Sequence, residues 1–229
     1  MSGTVDPVFI AGRIAEIESA LPAGIELVAV SKFQPVEAVR AAWEAGQRRF
    51  GESRVQELLE KIPQLPDDIN WHFIGHLQTN KVRQIIGKTS LIESVDSLRL
   101  LNLIEKESKA SGVMTDILLQ VHVAAEETKF GFSRQELEDY FASGAFRELT
   151  NTRLCGLMAM ATNTSEQSVV RRDFAEAAGI FRTISQTYGE QLPQFRSLSM
   201  GMSGDWPTAV EEGATIIRIG SAIFGPRIY

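Results

Sequence analysis

Residues 194–225 read QFRSLSMGMSGDWPTAVEEGATIIRIGSAIFG, and the plan of the whole chain is visible in them. Two short apolar runs, QFRSLSMG (194–201) and ATIIRIG (214–220), flank the helix-like PTAVEEG. The first run breaks into the turn Gly201-Met202-Ser203-Gly204-Asp205, the second into Gly220-Ser221. A strand, a turn, a helix and a second strand in this order make a parallel βαβ unit. The same alternation recurs upstream, with β-type runs at 26–32, 48–53, 70–75, 90–96, 114–123 and 152–161. That makes eight runs, the number that closes a (β/α)8 barrel.

Segments of helical spacing lie between them: PVEAVRAAWEAG, RVQELLEKI, NKVRQIIG, SLRLLNLIEKESKASG, SRQELEDYFASGAF and SVVRRDFAEAAGIFRTISQTYG. Pro35 and Gly46 are start and stop signals. Ser133 followed by Glu136 reads as a capping box, and Ser165 as a candidate cap. Phe174, Ile180, Phe181 and Trp43 fall at core-facing positions. Val, Ile and Leu occupy both faces of the strands, as expected when helices cover the sheet. An open doubly wound sheet would alternate in the same way. The count of eight and the lack of a GxGxxG turn after any strand favour a single (β/α)8 TIM barrel, preceded by an extra helix at about 8–20. No linker, repeat or charge block divides the chain, so residues 1–229 are expected to form one domain.

Composition narrows the function. With 44% hydrophobic and 23% charged residues, the chain is neither disordered nor fibrous. A net charge of −6 disfavours nucleic acid and anionic membranes as partners. No apolar run reaches the ~18–20 residues that span a bilayer, and the N-terminus lacks the pattern of a signal peptide. The single Cys155 excludes an internal disulfide and a multi-thiolate zinc cluster. A cytoplasmic protein is expected.

In a barrel, chemistry sits at the C-terminal ends of the strands. The first strand ends in Ser31-Lys32. Lys32 is either a solvated cation on a snorkelling stem or an amine able to condense with a carbonyl. The turns after strands seven and eight are either ordinary turns, with Asp205 as a helix cap, or a phosphate cradle whose small residues admit backbone N–H groups to an anion. His72 and His76, four apart on a strand, would lie about 13 Å apart, too far for one tetrahedral ion. His122 reads as part of the barrel wall or rim, and no metal site is expected. The acidic pairs Asp67-Asp68 and Glu126-Glu127 read as solvated loops.

Seven segments together resemble the pyridoxal-phosphate homeostasis proteins, the YggS/PROSC-like family. They are AVSKFQP (29–35), RFGESRVQE (49–57), WHFIGHLQTNK (71–81), Lys129-Phe130-Gly131, LCGLMAMA (154–161), SLSMGMSGDWPTAVEEGATIIRIGSAIFG (197–225) and Arg227. The resemblance implies an alanine-racemase-type barrel without that enzyme's β-domain. It implies pyridoxal 5′-phosphate (PLP) as cofactor, held as an internal aldimine on Lys32. The phosphate is expected at Ser203, Gly220 and Ser221, with Arg218 facing the pyridine nitrogen. Ser53, His72 and Met200 complete the implied cofactor contacts. Many members carry Asn where this chain has Ser53, and often Tyr where it has Arg54; Ser53 is too short to repeat an Asn contact.

The function implied is that of a non-catalytic PLP carrier or buffer affecting amino-acid balance, with apo PLP enzymes as recipients and a monomeric state. One alternative is a PLP-dependent racemase, which needs a second base opposite the lysine. Only Tyr140, Tyr188 and Tyr229 are available for that role, and none is well placed in sequence. Another alternative is a cofactor-free barrel enzyme acting on a phosphorylated metabolite.

Overall fold

The computed structural model describes residues 5–124 and 130–225. Glu126, Glu127, Lys129, Arg227 and Tyr229 lie outside the described residues. The chain opens with α1 (Pro7–Ala20), β1 (Glu26–Val30), α2 (Val36–Glu44), β2 (Arg49–Glu52), α3 (Val55–Lys61) and β3 (Asn70–Phe73). It continues through α4 (Val82–Ile85), β4 (Leu91–Val95), α5 (Leu98–Ser111), β5 (Thr115–Val121), α6 (Arg134–Ser143) and β6 (Thr152–Ala159). It ends with α7 (Gln167–Tyr188), β7 (Ser197–Ser199), α8 (Trp206–Glu211), β8 (Ile216–Ile219) and α9 (Ser221–Phe224). The strands pair in sequence order, all parallel, and β8 returns to β1, so the sheet is a closed barrel. The eight-stranded barrel expected from the alternation is the fold observed.

Local signals explain most boundaries. Asp6 caps α1 by accepting from Phe9 N at 3.0 Å, and Pro7 fills the first turn where its missing N–H costs nothing. The capping box at Ser133 and Glu136 is present in full, and α5 and α6 stop at Gly112 and Gly144, both left-handed. Two expected caps do not form. Glu166, not Ser165, is the N-cap residue of α7 and makes no capping bond. Asp205 precedes α8, but its carboxylate accepts from Met202 N at 2.5 Å and so closes the preceding turn.

Residues two apart share a face of a strand, and this sorts the barrel into layers. Leu27, Ala29, Phe50, Phe73, Ile92, Ile117 and Leu198 face outward into the hydrophobic layer beneath the helices. Phe174 and Ile180 join that layer, with Phe181 and Trp43 half-buried against it. The interior is plugged by a separate cluster, Val28, Leu91, Leu118, Met158 and Ile216. One step nearer the C-terminal mouth, the inward positions turn polar: Glu93 follows Leu91, Gln120 follows Leu118, and Arg218 follows Ile216. α1 packs on α2 and α9, and Arg13 Nε donates to Ala222 O at 2.9 Å.

The pairing of β5 with β6 carries a bulge: Ile117 sits opposite Leu154, and Leu118 opposite Gly156. Gly156 takes up the extra residue with φ 151°, and a Cβ there would lie 1.7 Å from Ser197 O on β7. Gly156→Ala should therefore force β6 from β7 and destabilise the fold by about 2 kcal/mol or more. Thermal unfolding of the variant measures this; an unchanged midpoint contradicts it.

Candidate functional site

The mouth of the barrel is assembled from strand ends. Lys32 lies two residues beyond β1, half-buried, in a turn closed by Gln34 N donating to Ser31 O at 3.0 Å. Ser53 follows β2 and is drawn close to the end of β3, where a Cβ on Gly75 would sit 2.2 Å from Ser53 O. Only glycine allows these two chain segments to approach so closely.

On the opposite wall, the turns after β7 and β8 are tied by one hydroxyl. Ser203 Oγ accepts from Gly220 N and Ala222 N, both at 3.4 Å. These long bonds mark amides that converge on one point at the start of α9. β8 in turn lies against β1, and the α-carbon hydrogen of Gly220 looks toward Val30, whose Cβ and carbonyl oxygen would stand 3.4 Å from an added Cβ. The two turns and the Lys32 turn thus share one rim.

Below the rim is a buried ionic network. Arg218 is 4% exposed. Its Nη1 donates to Ser199 Oγ at 2.5 Å and its Nη2 to Ala159 O at 3.0 Å. Ser199 Oγ donates to Glu93 Oε2 at 2.5 Å, and the Arg218 guanidinium stands 3.5 Å from the same oxygen. His72 Nδ1 pairs with Glu93 Oε1 at 2.6 Å. Burial would raise the Glu93 carboxyl, but His72, Arg218 and Ser199 outweigh it and hold the group below the ordinary carboxylate value. Burial lowers the Arg218 guanidinium, opposed by the charges of Glu93 and Asp205. A guanidinium so restrained is a fixed cation, able only to donate.

The residues expected from sequence are distributed unevenly over this mouth. Ser203, Gly220 and Ser221 sit together. Arg218 and His72 lie in the layer beneath, with His72 Nδ1 already committed to Glu93. The Met200 side chain is fully buried among the outward-facing hydrophobics, so the mouth can meet Met200 only through its backbone. His76, four residues beyond His72, pairs instead with Asp96 Oδ2 at 2.8 Å and stacks on Phe130 at 4.0 Å between ring centroids. His122 is half-buried just past β5 and donates its backbone N–H to Phe132 O. Asp67 and Asp68 are exposed.

Glu93, Ser199 and Gln120 were not singled out from the sequence. For Glu93 the signal lies in LIESV (91–95), where one charge interrupts a strand otherwise without charge. Such a charge has to be paired inside the barrel or under a helix. Gln120 and Ser199 carry no comparable local signal.

Fold and site together define a barrel of the alanine racemase N-terminal type. The family model for that domain, Alanine racemase, N-terminal domain, matches residues 5–227. Within that class, the chain belongs to the pyridoxal phosphate homeostasis protein family. It is 40% identical to the pyridoxal phosphate homeostasis protein of Aquifex aeolicus, over 89% of this chain and 88% of that one. It is 37% identical to the Escherichia coli protein of the same name, over 91% of this chain and 88% of that one. A solved structure of PipY from Synechococcus elongatus with PLP bound superposes with a TM-score of 0.83 at 38% identity, covering 94% of this chain and all of PipY's. The alanine racemase of Bartonella henselae shares the fold at 16% identity, TM-score 0.74, with 97% of this chain matched to 60% of the enzyme.

Glu93→Gln removes the counter-ion of a buried guanidinium, and the expected loss at neutral pH is about 3 kcal/mol. Because the folded carboxyl is held below its unfolded value of 4.5, its stabilising contribution is complete above that value and fades as pH falls through the lower folded one. Urea unfolding of wild type and variant should show a gap at neutral pH that narrows in acid. A gap that widens in acid contradicts the pairing.

Proposed function

We propose that this chain binds PLP at the barrel mouth and serves intracellular PLP homeostasis by holding and releasing the cofactor. The observation that carries the reading is the meeting, on one rim, of an amine-bearing turn after β1 and the amides gathered on Ser203 after β7 and β8. The names of its relatives and the PLP-bound PipY structure support it.

The residues present fit such a ligand. PLP supplies an aldehyde and an electron-withdrawing ring. Lys32 would hold the cofactor through Nζ, an amine of the type that joins an aldehyde reversibly. Ser203 offers a hydroxyl to the phosphate, and Gly220 and Ser221 offer N–H groups. Arg218 would stand at the pyridine nitrogen and, being only a donor, would favour its unprotonated form. Ser53 and His72 would border the ring, and Met200, its side chain buried, could contribute only its backbone. Residues 1–229 act as one cofactor-binding unit.

The same residues argue against turnover. With a donor-only guanidinium beside its ring nitrogen, the cofactor would supply only a weak electron sink. A racemase also needs a second base. Tyr140 and Tyr188 belong to α6 and α7, outside the barrel wall, and burial raises the Tyr140 phenol far above its ordinary value. The reading is of a carrier without turnover, taken to act as a monomer in the cytoplasm with apo PLP enzymes as recipients.

Lys32→Ala should abolish the near-visible absorption of PLP-loaded protein and the borohydride-trapped adduct while leaving the circular dichroism unchanged. An adduct mapping to Lys81 or Lys129 by mass spectrometry refutes the assignment. In Gly220→Val the branched side chain presses on Val30 of β1 and shifts the Gly220 amide, so binding of PLP should fall far more than that of pyridoxal. Equal loss places the phosphate elsewhere. Loaded protein mixed with an apo PLP enzyme should restore its activity faster than an equal amount of free cofactor; a rate no faster speaks against the carrier role.

A further inference from the structure

The turn that carries Lys32 is strained. Phe33 has φ 63°, alone among the described non-glycine residues in the left-handed region. The Gln34 N–H to Ser31 carbonyl bond makes Lys32 and Phe33 the two central residues of a four-residue turn. The second central position of such a turn ordinarily goes to glycine, because a Cβ there is costly. A conformation of this kind persists only where its surroundings over-determine it.

Those surroundings come from α3 and lie outside the barrel. Lys61, the last residue of α3, is 4% exposed. Its Nζ donates to Ser31 O at 2.8 Å, Glu52 Oε1 at 2.7 Å and Glu57 Oε1 at 2.7 Å, which uses all three of its protons. Glu57 Oε1 also accepts from Phe33 N at 2.6 Å, and Ser31 Oγ donates to Glu52 Oε1 at 2.7 Å. The backbone on both sides of Lys32 is therefore gripped by one ammonium and one carboxylate. Arg54 lies over the Phe33 ring at 4.6 Å and covers the outer side.

Such a cluster is a poor device for stability alone. Burial raises the Glu52 carboxyl against the pull of Lys61, and its second oxygen, Oε2, is buried without a partner. Replacing a buried ionic cluster by apolar residues is often neutral for stability, so geometry is the better account of its presence here.

We propose that Lys61, with Glu57, is a positioning residue. It holds the strained Ser31–Gln34 turn in the one conformation that directs Lys32 into the barrel mouth. The proposal rests on the reading of Lys32 as the PLP-binding amine. Lys61 itself sits outside the barrel wall, with its ammonium fully engaged by Ser31, Glu52 and Glu57.

The test compares PLP with 4′-deoxypyridoxine 5′-phosphate, which has the ring and phosphate but no aldehyde. In Lys61→Met, the apparent dissociation constant for PLP should rise by about tenfold or more, the scale seen when support behind a reacting group is lost. Affinity for the deoxy analogue should hold within about twofold, because the phosphate cradle on β7 and β8 is untouched. Adding Phe33→Gly relieves the strain without the clamp and should recover most of the PLP affinity. Hydrogen exchange at the Phe33 amide of the unliganded protein should accelerate in Lys61→Met. If Lys61→Met does not fold, the charge-balanced pair Lys61→Met/Glu57→Gln takes its place with the same expectations. Parallel loss of both ligands overturns the proposal, as does undiminished PLP affinity in a variant whose Lys32 adduct still forms as in wild type. A wild-type protein with no Lys32 adduct overturns the cofactor reading and this proposal together, and is recognised before any variant is made.

Discussion

β8 returns to pair with β1, setting Glu26 opposite Ile216, Leu27 opposite Ile217, Val28 opposite Arg218 and Ala29 opposite Ile219. That closure leaves no free sheet edge and fixes the stagger of the strands around the barrel. It also puts residues almost 190 positions apart in sequence on one rim, since Lys32 and Gly220 follow strands that are neighbours only because the sheet closes. An open sheet with the same elements would leave β1 and β8 on different edges, and the amine and the converging amides would never meet on one rim.

Closure creates a second problem, which is how to fill the interior. The lower layer is solved with branched and thioether side chains. The upper layer is solved with charge. Glu93 satisfies His72, Ser199 and Arg218 at once, so removing Glu93 would leave all three without their shared anion in a medium that solvates ions poorly. This makes the floor of the mouth rigid, and the Arg218 cation cannot swing aside when something binds above it.

A second buried ionic group stands on the opposite side of the wall, where Lys61 joins Glu52, Glu57 and the carbonyl of Ser31. The two groups differ in what they constrain. The interior one orders side chains under the mouth, while the exterior one orders the backbone of a turn. Residues 51 and 52 show how the strand serves both: Gly51 faces inward, where an added Cβ would meet Val28 and Ile74, and Glu52 faces outward to α3.

The sequence by itself determined the order of elements, the count of strands and hence the barrel, because short apolar runs and glycine and proline punctuation are local signals. It also placed side chains of recognisable chemical type at strand ends, Lys32 after β1 and the Gly/Ser turns after β7 and β8, while Arg218 was pointed to only by the family resemblance. Failures at Ser165 and Asp205 were local too: a serine or aspartate near a helix start caps only if its rotamer and backbone allow, and at Asp205 the turn competed for the carboxylate. Only the tertiary structure decided which charges meet. Nothing in LIESV names Arg218 as the partner of Glu93, 125 residues away, and nothing in VQELLEK names Ser31 and Phe33 as the groups held by Lys61 and Glu57. Such pairings depend on strand stagger and on the seating of a helix against the wall, which are properties of the closed barrel. The burial of Met200 away from the mouth followed from the same source, since one position along a strand separates the ligand side from the helix side.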